Sequence, residues 1–257
     1  RDPGPSGGDG RDPGRFMIDA DGRVVMISGP VRGIGRSIAE RLRVAGYRLS
    51  LGGRKLEELE AMVAGWSDVD RDKTVSVHRF DAEDSDSARA WVDETVAHHG
   101  GIDVLVNNAG ILEGFGLDDY DEAAFDAMWR INVKSPTLLT HLTLPHLRRS
   151  GHGRVINIAS MSGKRVKGGF SPGYAMTKHA VMALTHATRQ HGWADGIRAT
   201  AICPAFVGTD MLADVDTGDE PIIDPDDIAE LINTALMLPN HSSVPEIAIN
   251  CRLEDLF

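Results

Sequence analysis

The segment YAMTK, Tyr174 to Lys178, sets a phenol and an ammonium four residues apart. In a helix that spacing puts both groups on one face, where they can meet one ligand. A free phenol ionises at a pH of about 10 and is a poor base at neutral pH. A neighbouring ammonium is expected to favour the phenolate and lower that value. A tyrosine tuned this way can give a proton to a forming alkoxide, or take one in the reverse direction. Ser160 ends the apolar run RVINIAS (154–160), where its hydroxyl can orient a substrate oxygen and stabilise developing negative charge. The alternative is two solvated side chains on an ordinary helix. Ser160 upstream is what favours chemistry over that alternative.

A second constellation is SGPVRGIG, Ser28 to Gly35, with glycines at 29, 33 and 35. It follows the short apolar run VVMIS (24–28) and opens a helical pattern from Ile34 to Ala45. Such a turn needs positive φ and room for a phosphate group near the backbone, and the helix behind it directs free N–H groups at the anion. A plain glycine-rich turn is the bland reading.

The elements that must hold these residues alternate along the chain. Strand patterns are VVMIS (24–28), YRLSLGG (47–53), TVSVHRF (74–80), IDVLVNN (102–108), RVINIAS (154–160), RATAICP (198–204) and EIAINC (246–251). Helical patterns lie between them at 34–45, 55–66, 87–100, about 122–147, 174–191 and 224–238. Pro136 and Pro145 predict a kink and a stop in the long one. Apolar strands separated by crossover helices predict a parallel sheet covered on both faces, with ligands beyond the carboxyl ends of its strands.

Bulk properties narrow the class. The chain has 257 residues and no apolar run long enough to span a membrane, so a soluble protein is expected. With 27 basic and 38 acidic residues the net charge is −11, which argues against a nucleic-acid partner. Cys203 and Cys251 make no disulfide framework and fit no metal site, so no metal and a reducing cytoplasm are expected. Residues 1–16, with RDPG at 1–4 and again at 11–14, read as a disordered tail or a leftover of expression, without the apolar core of a signal peptide. Residues 17–257 are then the folded domain.

Taken in order, these motifs resemble the short-chain dehydrogenase/reductase family over nearly the whole chain after the tail. The glycine loop is similar to its TGxxxGxG, with Ser28 where Thr is usual; NNAG (107–110) matches its fourth-strand motif. Asn132 in RINVKSP, Ser160, Tyr174 and Lys178 match its catalytic set. The resemblance implies a single Rossmann-like, doubly wound α/β domain with a seven-stranded, mainly parallel sheet and helices on both faces. It implies a nicotinamide dinucleotide held by Ser28, Gly29, Arg32, Gly33, Ile34 and Gly35 of the loop. Asp81 and Ala82 would take the adenine; Asn108, Ala109, Gly110, Tyr174, Lys178, Pro204, Val207 and Thr209 would complete the contacts. Lys178 would reach the nicotinamide ribose, Thr209 the carboxamide, and Asn132 a water linking Lys178 to solvent; a kink-stabilising amide is the plainer role for Asn132.

Where a carboxylate would bind the ribose 2′-OH of NAD, the chain has Gly53, followed by Arg54, with Arg32 in the glycine loop. Arginines suit a 2′-phosphate, so NADP(H) is favoured and NAD(H) remains possible. Two departures from the family stand out. Ser160 precedes Tyr174 by fourteen residues where thirteen are usual, which keeps Ser162 as an alternative, and PAFVGTDM (204–211) lacks the usual Pro-Gly.

A lid is expected from about Phe206 to Ile223, acidic through Asp210, Asp214, Asp216, Asp219 and Glu220. Lys164, Arg165 and Lys167 would draw in an anion or face water. Phe115, Phe170, Phe206 and Met211 would be apolar walls or packing, and His98, His99 and His191 surface or capping residues. The expected activity is carbonyl–alcohol interconversion on a small molecule by a homodimer or homotetramer, with the LEDLF end (253–257) in a subunit contact or on the core. A dinucleotide-binding regulator without turnover is the alternative, against which both Tyr174 and Lys178 speak.

Overall fold

The computed structural model describes residues 17–66, 74–166, 171–212 and 221–253. Seven strands, β1 (Val24–Ser28), β2 (Arg48–Gly53), β3 (Val75–Arg79), β4 (Val104–Asn107), β5 (Arg154–Ile158), β6 (Arg198–Pro204) and β7 (Glu246–Ile249), form one sheet. Their order is β3-β2-β1-β4-β5-β6-β7 and every pairing is parallel. Chain order reverses between β1 and β4, and a crevice opens at such a switch point beyond the strand ends.

The strands read as unbroken apolar runs because both faces are covered. Val25 and Ile27 of β1, Val104 and Val106 of β4, and Ile156 and Ile158 of β5 enter one core. Met26, Leu105 and Val155, at alternate positions on the same strands, enter the other. Helices α1 (Gly33–Val44), α2 (Leu56–Ala64) and α7 (Pro225–Met237) close the first face, with Ile38, Leu42, Leu59, Ile228 and Ile232 buried. Helices α3 (Ser85–His99) and α5 (Ser135–Ser150) close the second through Trp91, Val92, Leu139 and Leu147. Helix α6 (Pro172–Gly192) packs beside β6 through Val181 and Met182.

The long helical region differs from expectation. Helix α4 (Glu122–Trp129) passes into a wide π turn, Arg130–Lys134, before α5 begins. Pro136 sits in the first turn of α5, where its missing N–H costs little. Pro145 does not stop the helix; α5 runs on to Ser150 and ends at Gly151 with φ 68°. An interior proline costs about 3 kcal/mol. Leu139 and Leu147 flank it and are both fully buried, each contributing roughly 1.5–3 kcal/mol.

Arginines at the strand starts seal the end of the sheet away from the crevice. Arg23 donates to Leu236 O at 3.0 Å, Arg48 to His99 O at 3.0 Å, Arg154 to Leu238 O at 2.6 Å and Arg198 to Trp193 O at 3.0 Å. Each meets a carbonyl at or just past a helix C-terminus, where acceptors lack partners and the dipole favours a cation. Burial pushes the Arg154 guanidinium down to about 10.

His99 also departs from the sequence reading. It is 6% exposed, with Nε2 hydrogen-bonded to Ser76 Oγ at 2.9 Å, and Ser76 Oγ in turn meets His78 Nε2 at 2.8 Å. Helix α3 ends against β3, so its last residue is turned into the sheet rather than into water. Burial, with His98 and Arg48 nearby, lowers its pKa to about 4. The unfolded chain takes up that proton first, near the ordinary value of about 6.5, so stability falls as pH drops through this window. Urea unfolding of the wild type should lose up to about 3 kcal/mol between pH 6.5 and 4 from this group, and His99→Gln should flatten that slope.

Candidate active site

Four elements bring the reactive side chains to the carboxyl end of the sheet. Ser160 stands two residues past β5 in extended backbone and caps a one-turn 3-10 segment, Met161–Gly163; its Oγ accepts from Ser162 N–H at 3.1 Å. Ser171 caps α6, accepting from Tyr174 N–H at 3.3 Å, and Pro172 supplies the first helical φ. The Ser171 hydroxyl also donates to Glu113 O at 2.7 Å, which ties the helix start to the segment after β4.

Tyr174 is 9% exposed and packs with Phe115 and Met128. Its hydroxyl lies near enough to Ser160 for the serine to favour the phenolate. Lys178 lies one turn on, donating from Nζ to Ile158 O at 2.8 Å, with Nζ 5.4 Å from the Tyr174 ring centre. A Cβ on Gly110 would stand 3.2 Å from Asn132 Oδ1 and 3.7 Å from Lys178 Nζ, so the segment after β4, the π turn and α6 converge there.

Electrostatics overturn one expectation. Burial pushes the Tyr174 phenol up to about 12, and Ser160 only partly opposes it. Burial also pushes Lys178 down to about 8. Desolvation disfavours both charges and outweighs the pull of the ammonium on the phenol, whose charge is directed at Ile158 O. The neutral phenol is therefore the resting form.

Asn132 sits in the π turn, 2% exposed. Its Oδ1 accepts from Ile111 N–H and its Nδ2 donates to Ile111 O, both at 2.9 Å, and Nδ2 reaches Thr177 Oγ1 at 3.1 Å. Thr177 donates to Tyr174 O at 2.8 Å. This amide holds the strand-end segment to α6.

The glycine loop is knitted to β4. Ser28 Oγ accepts from the N–H groups of Asn108 and Ala109, both at 3.0 Å, and Asn108 Nδ2 donates to Ser28 O and Gly29 O, both at 2.9 Å. Asn108 is thus spent on the loop itself. Gly29 and Gly33 have φ of 65° and 53°. A Cβ on Gly35 would stand 2.4 Å from Asn108 Nδ2, and one on Gly33 2.9 Å from Thr209 Cγ2. Arg32, preceding α1, pairs with Asp210 at 3.3 Å, both 73% exposed. Among the described helices with a free start, α1 alone has neither a capping side chain nor an acidic residue in its first turn.

Arg54 is exposed just past β2. Asp81 and Ala82 follow β3 by two and three residues, and Asp81 Oδ1 accepts from Glu83 N–H at 3.0 Å. Val207 bridges Ile223, and Pro204 ends β6. Phe115 is packing: a Cβ on Gly173 would stand 2.5 Å from its ring. Lys164 is paired with Glu246 and only 16% exposed, so it neither faces water nor draws in an anion. Tail residues 1–16, Lys167, Phe170, Asp214, Asp216, Asp219, Glu220 and the end of LEDLF lie outside the described residues. Among the described residues, no group of three or more His, Cys, Asp or Glu could hold a metal, and no helix is long and apolar enough to cross a membrane.

The sequence reading does not single out Gly163 or Thr177. A Cβ on Gly163 would lie 2.7 Å from Lys178 O, so the serine turn rests directly on the backbone of α6. The only signal was a glycine three residues past Ser160.

With this geometry in hand, comparison with known proteins is specific. Residues 23–220 match the family model described as short chain dehydrogenase. An agropine synthesis reductase of Rhizobium rhizogenes is 45% identical over 235 residues, 91% of this chain and 53% of that protein; the chain spans about half the length of that relative. An uncharacterized oxidoreductase of Staphylococcus saprophyticus is 33% identical over 91% of this chain and 99% of its own. The alcohol dehydrogenase of Thermococcus sibiricus complexed with 5-hydroxy-NADP superposes with TM-score 0.80 at 28% identity, covering 90% of this chain and 99% of that one. A short chain dehydrogenase of Burkholderia cenocepacia in complex with NADP gives TM-score 0.82 at 27% identity, over 91% and 98%.

Gly163→Ala should force the serine turn off Lys178 and destabilise the fold by about 1–3 kcal/mol, read from the urea midpoint.

Proposed function

The chain belongs to the short-chain dehydrogenase family, and from that premise we propose that it interconverts a small-molecule carbonyl and a secondary alcohol with NADP(H). The convergence of Ser160, Tyr174 and Lys178 at the sheet's carboxyl end carries this reading. When bound, the nicotinamide supplies or accepts the hydride.

The chain suits such a cofactor. The uncapped start of α1 leaves N–H groups and positive dipole for a diphosphate. Gly29 and Gly33 supply the positive φ of the loop, Gly35 lets Asn108 close on it, and Ser28, Ile34, Asn108, Ala109 and Gly110 would shape the crevice. Asp81 and Ala82 would line the adenine end; Pro204, Val207 and Thr209 would line the nicotinamide end. Gly53 offers no carboxylate to a ribose 2′-OH, and Arg54 offers a guanidinium to a 2′-phosphate. Relatives of known structure were solved with NADP or 5-hydroxy-NADP, which supports the preference.

Tyr174, protonated at rest, is the proton donor for carbonyl reduction. Ser160 Oγ, near the same phenol, would hold the substrate oxygen beside it and stabilise the charge that forms there. Lys178 would meet the cofactor ribose with its ammonium and return a proton to Tyr174. Asn132 keeps α6 and the β4 segment in register. Among the relatives, one is named for a reductase of agropine synthesis. We expect a homodimer or homotetramer; α5 and α6 border an open groove that includes Leu144, Leu184 and Ala187.

A panel of ketones and alcohols with each cofactor, followed through the reduced nicotinamide, tests the reading. Tyr174→Phe should lower kcat at least about 100-fold while the NADPH Kd stays within about twofold; surviving turnover removes the proton assignment. Arg54→Ala should weaken NADPH by roughly tenfold or more and leave NADH nearly unchanged, since one charge-assisted bond is lost; equal weakening of both removes the cofactor preference.

A further inference from the structure

Outside the reacting groups, one carboxylate joins three elements. Glu246 opens β7, paired in register with Ala201 of β6. Its Oε2 holds the Lys164 ammonium, and its Oε1 is hydrogen-bonded to His186 Nε2 at 2.9 Å. Lys164 closes the serine turn, its N–H donating to Met161 O at 3.0 Å. His186 lies on α6, eight residues beyond Lys178 and on much the same side of the helix. The turn that carries Ser160 and the helix that carries Tyr174 and Lys178 are thus both fastened to the last strand.

The Lys164–Glu246 arm of the fastening is partly withdrawn from water, with side-chain exposures of 16% and 26%, while His186 is 45% exposed. The exposed Arg32–Asp210 pair, at 73% on both sides, has no such shelter. A partly buried pair is screened less, and cutting one partner leaves a charge stranded. The thiol of Cys203, fully buried at the end of β6, feels the charges of Lys164, Glu246 and Lys178 together. Gly163, set against the Lys178 backbone, and Met161, buried with Val181 and Met182, bring the turn into contact with α6, and the Lys164–Glu246 pair ties its far end to β7.

We propose that Glu246 is a positioning residue, acting through Lys164 and His186 to hold the Ser160 turn against α6 and so set the placement of Ser160 relative to Tyr174. This rests on the oxidoreductase reading above. The consequence is a defect in the chemical step with NADPH binding largely kept, because the contacts proposed for the diphosphate and the 2′-phosphate lie at β1, β2 and β4, and Glu246 at β7.

The test uses the full chain and three variants, Glu246→Ala, Lys164→Met and Lys164→Arg, with NADPH and a reducible ketone. Glu246→Ala and Lys164→Met should each lower kcat roughly tenfold with NADPH Kd within about twofold, since loss of exact placement acts on the reacting step. The double variant should be no slower than the worse single, and Lys164→Arg should stay within about threefold of wild type by keeping the pair. Amide exchange at Ser162 to Lys164, which needs no turnover, should quicken by roughly tenfold in Glu246→Ala while the strand amides hold. Unchanged exchange in that turn, or kcat within about twofold of wild type in a chain that Tyr174→Phe inactivates, overturns the proposal. Exchange that quickens across the whole sheet overturns it too. If Tyr174→Phe stays active, the proton assignment falls instead, and the exchange result alone decides the role of Glu246.

Discussion

Desolvation of two titratable groups on one helix face is the constraint on which the site depends. Tyr174 and Lys178 are both nearly inaccessible, and water is replaced around them by Phe115, Met128 and the end of β5. Burial disfavours the charged form of each, moving the phenol up and the ammonium down. The two values are thereby driven apart relative to solution in the sense that keeps the phenol protonated.

Such burial is tolerable only because neighbours satisfy the polar atoms. Ser160 stands near the phenol, Ile158 O meets the ammonium, and Asn132 and Thr177 bond the backbone around them. These partners come from β5, the π turn and α6, so the site cannot form before the sheet and its helices dock. The π turn matters here: it carries the Asn132 amide, which both donates to and accepts from Ile111. At the other side of the switch point the same economy holds β1 to β4, where Ser28 and Asn108 exchange bonds through a gap that only glycine at 35 leaves open.

Much of this was legible in the chain. Apolar strands alternating with helical patterns led to the seven strands and their parallel arrangement, because a strand buried on both faces carries no polar alternation. Strand and helix limits moved by a few residues, and Pro145 proved compatible with its helix because leucines on both sides were buried. Lys164 and His99 were less legible. Each sits in a local stretch that reads as polar surface, and each is covered by an element distant in sequence: Lys164 by β7, His99 by β3.

What the sequence by itself determined is the set of groups and their order: a glycine loop after the first strand, a serine after the fifth, and a tyrosine and lysine one helical turn apart. Periodicity and spacing are local properties, and local properties survive in a string of letters. What only the tertiary structure decided is the protonation of that pair and the fate of the polar side chains around it. The chain next to YAMTK suggested that the ammonium would acidify the phenol; the fold reversed the sign by enclosing both against Phe115, Met128 and Ile158. Desolvation depends on how much water the whole surrounding structure excludes, and that sum is taken over residues brought together by packing rather than by sequence.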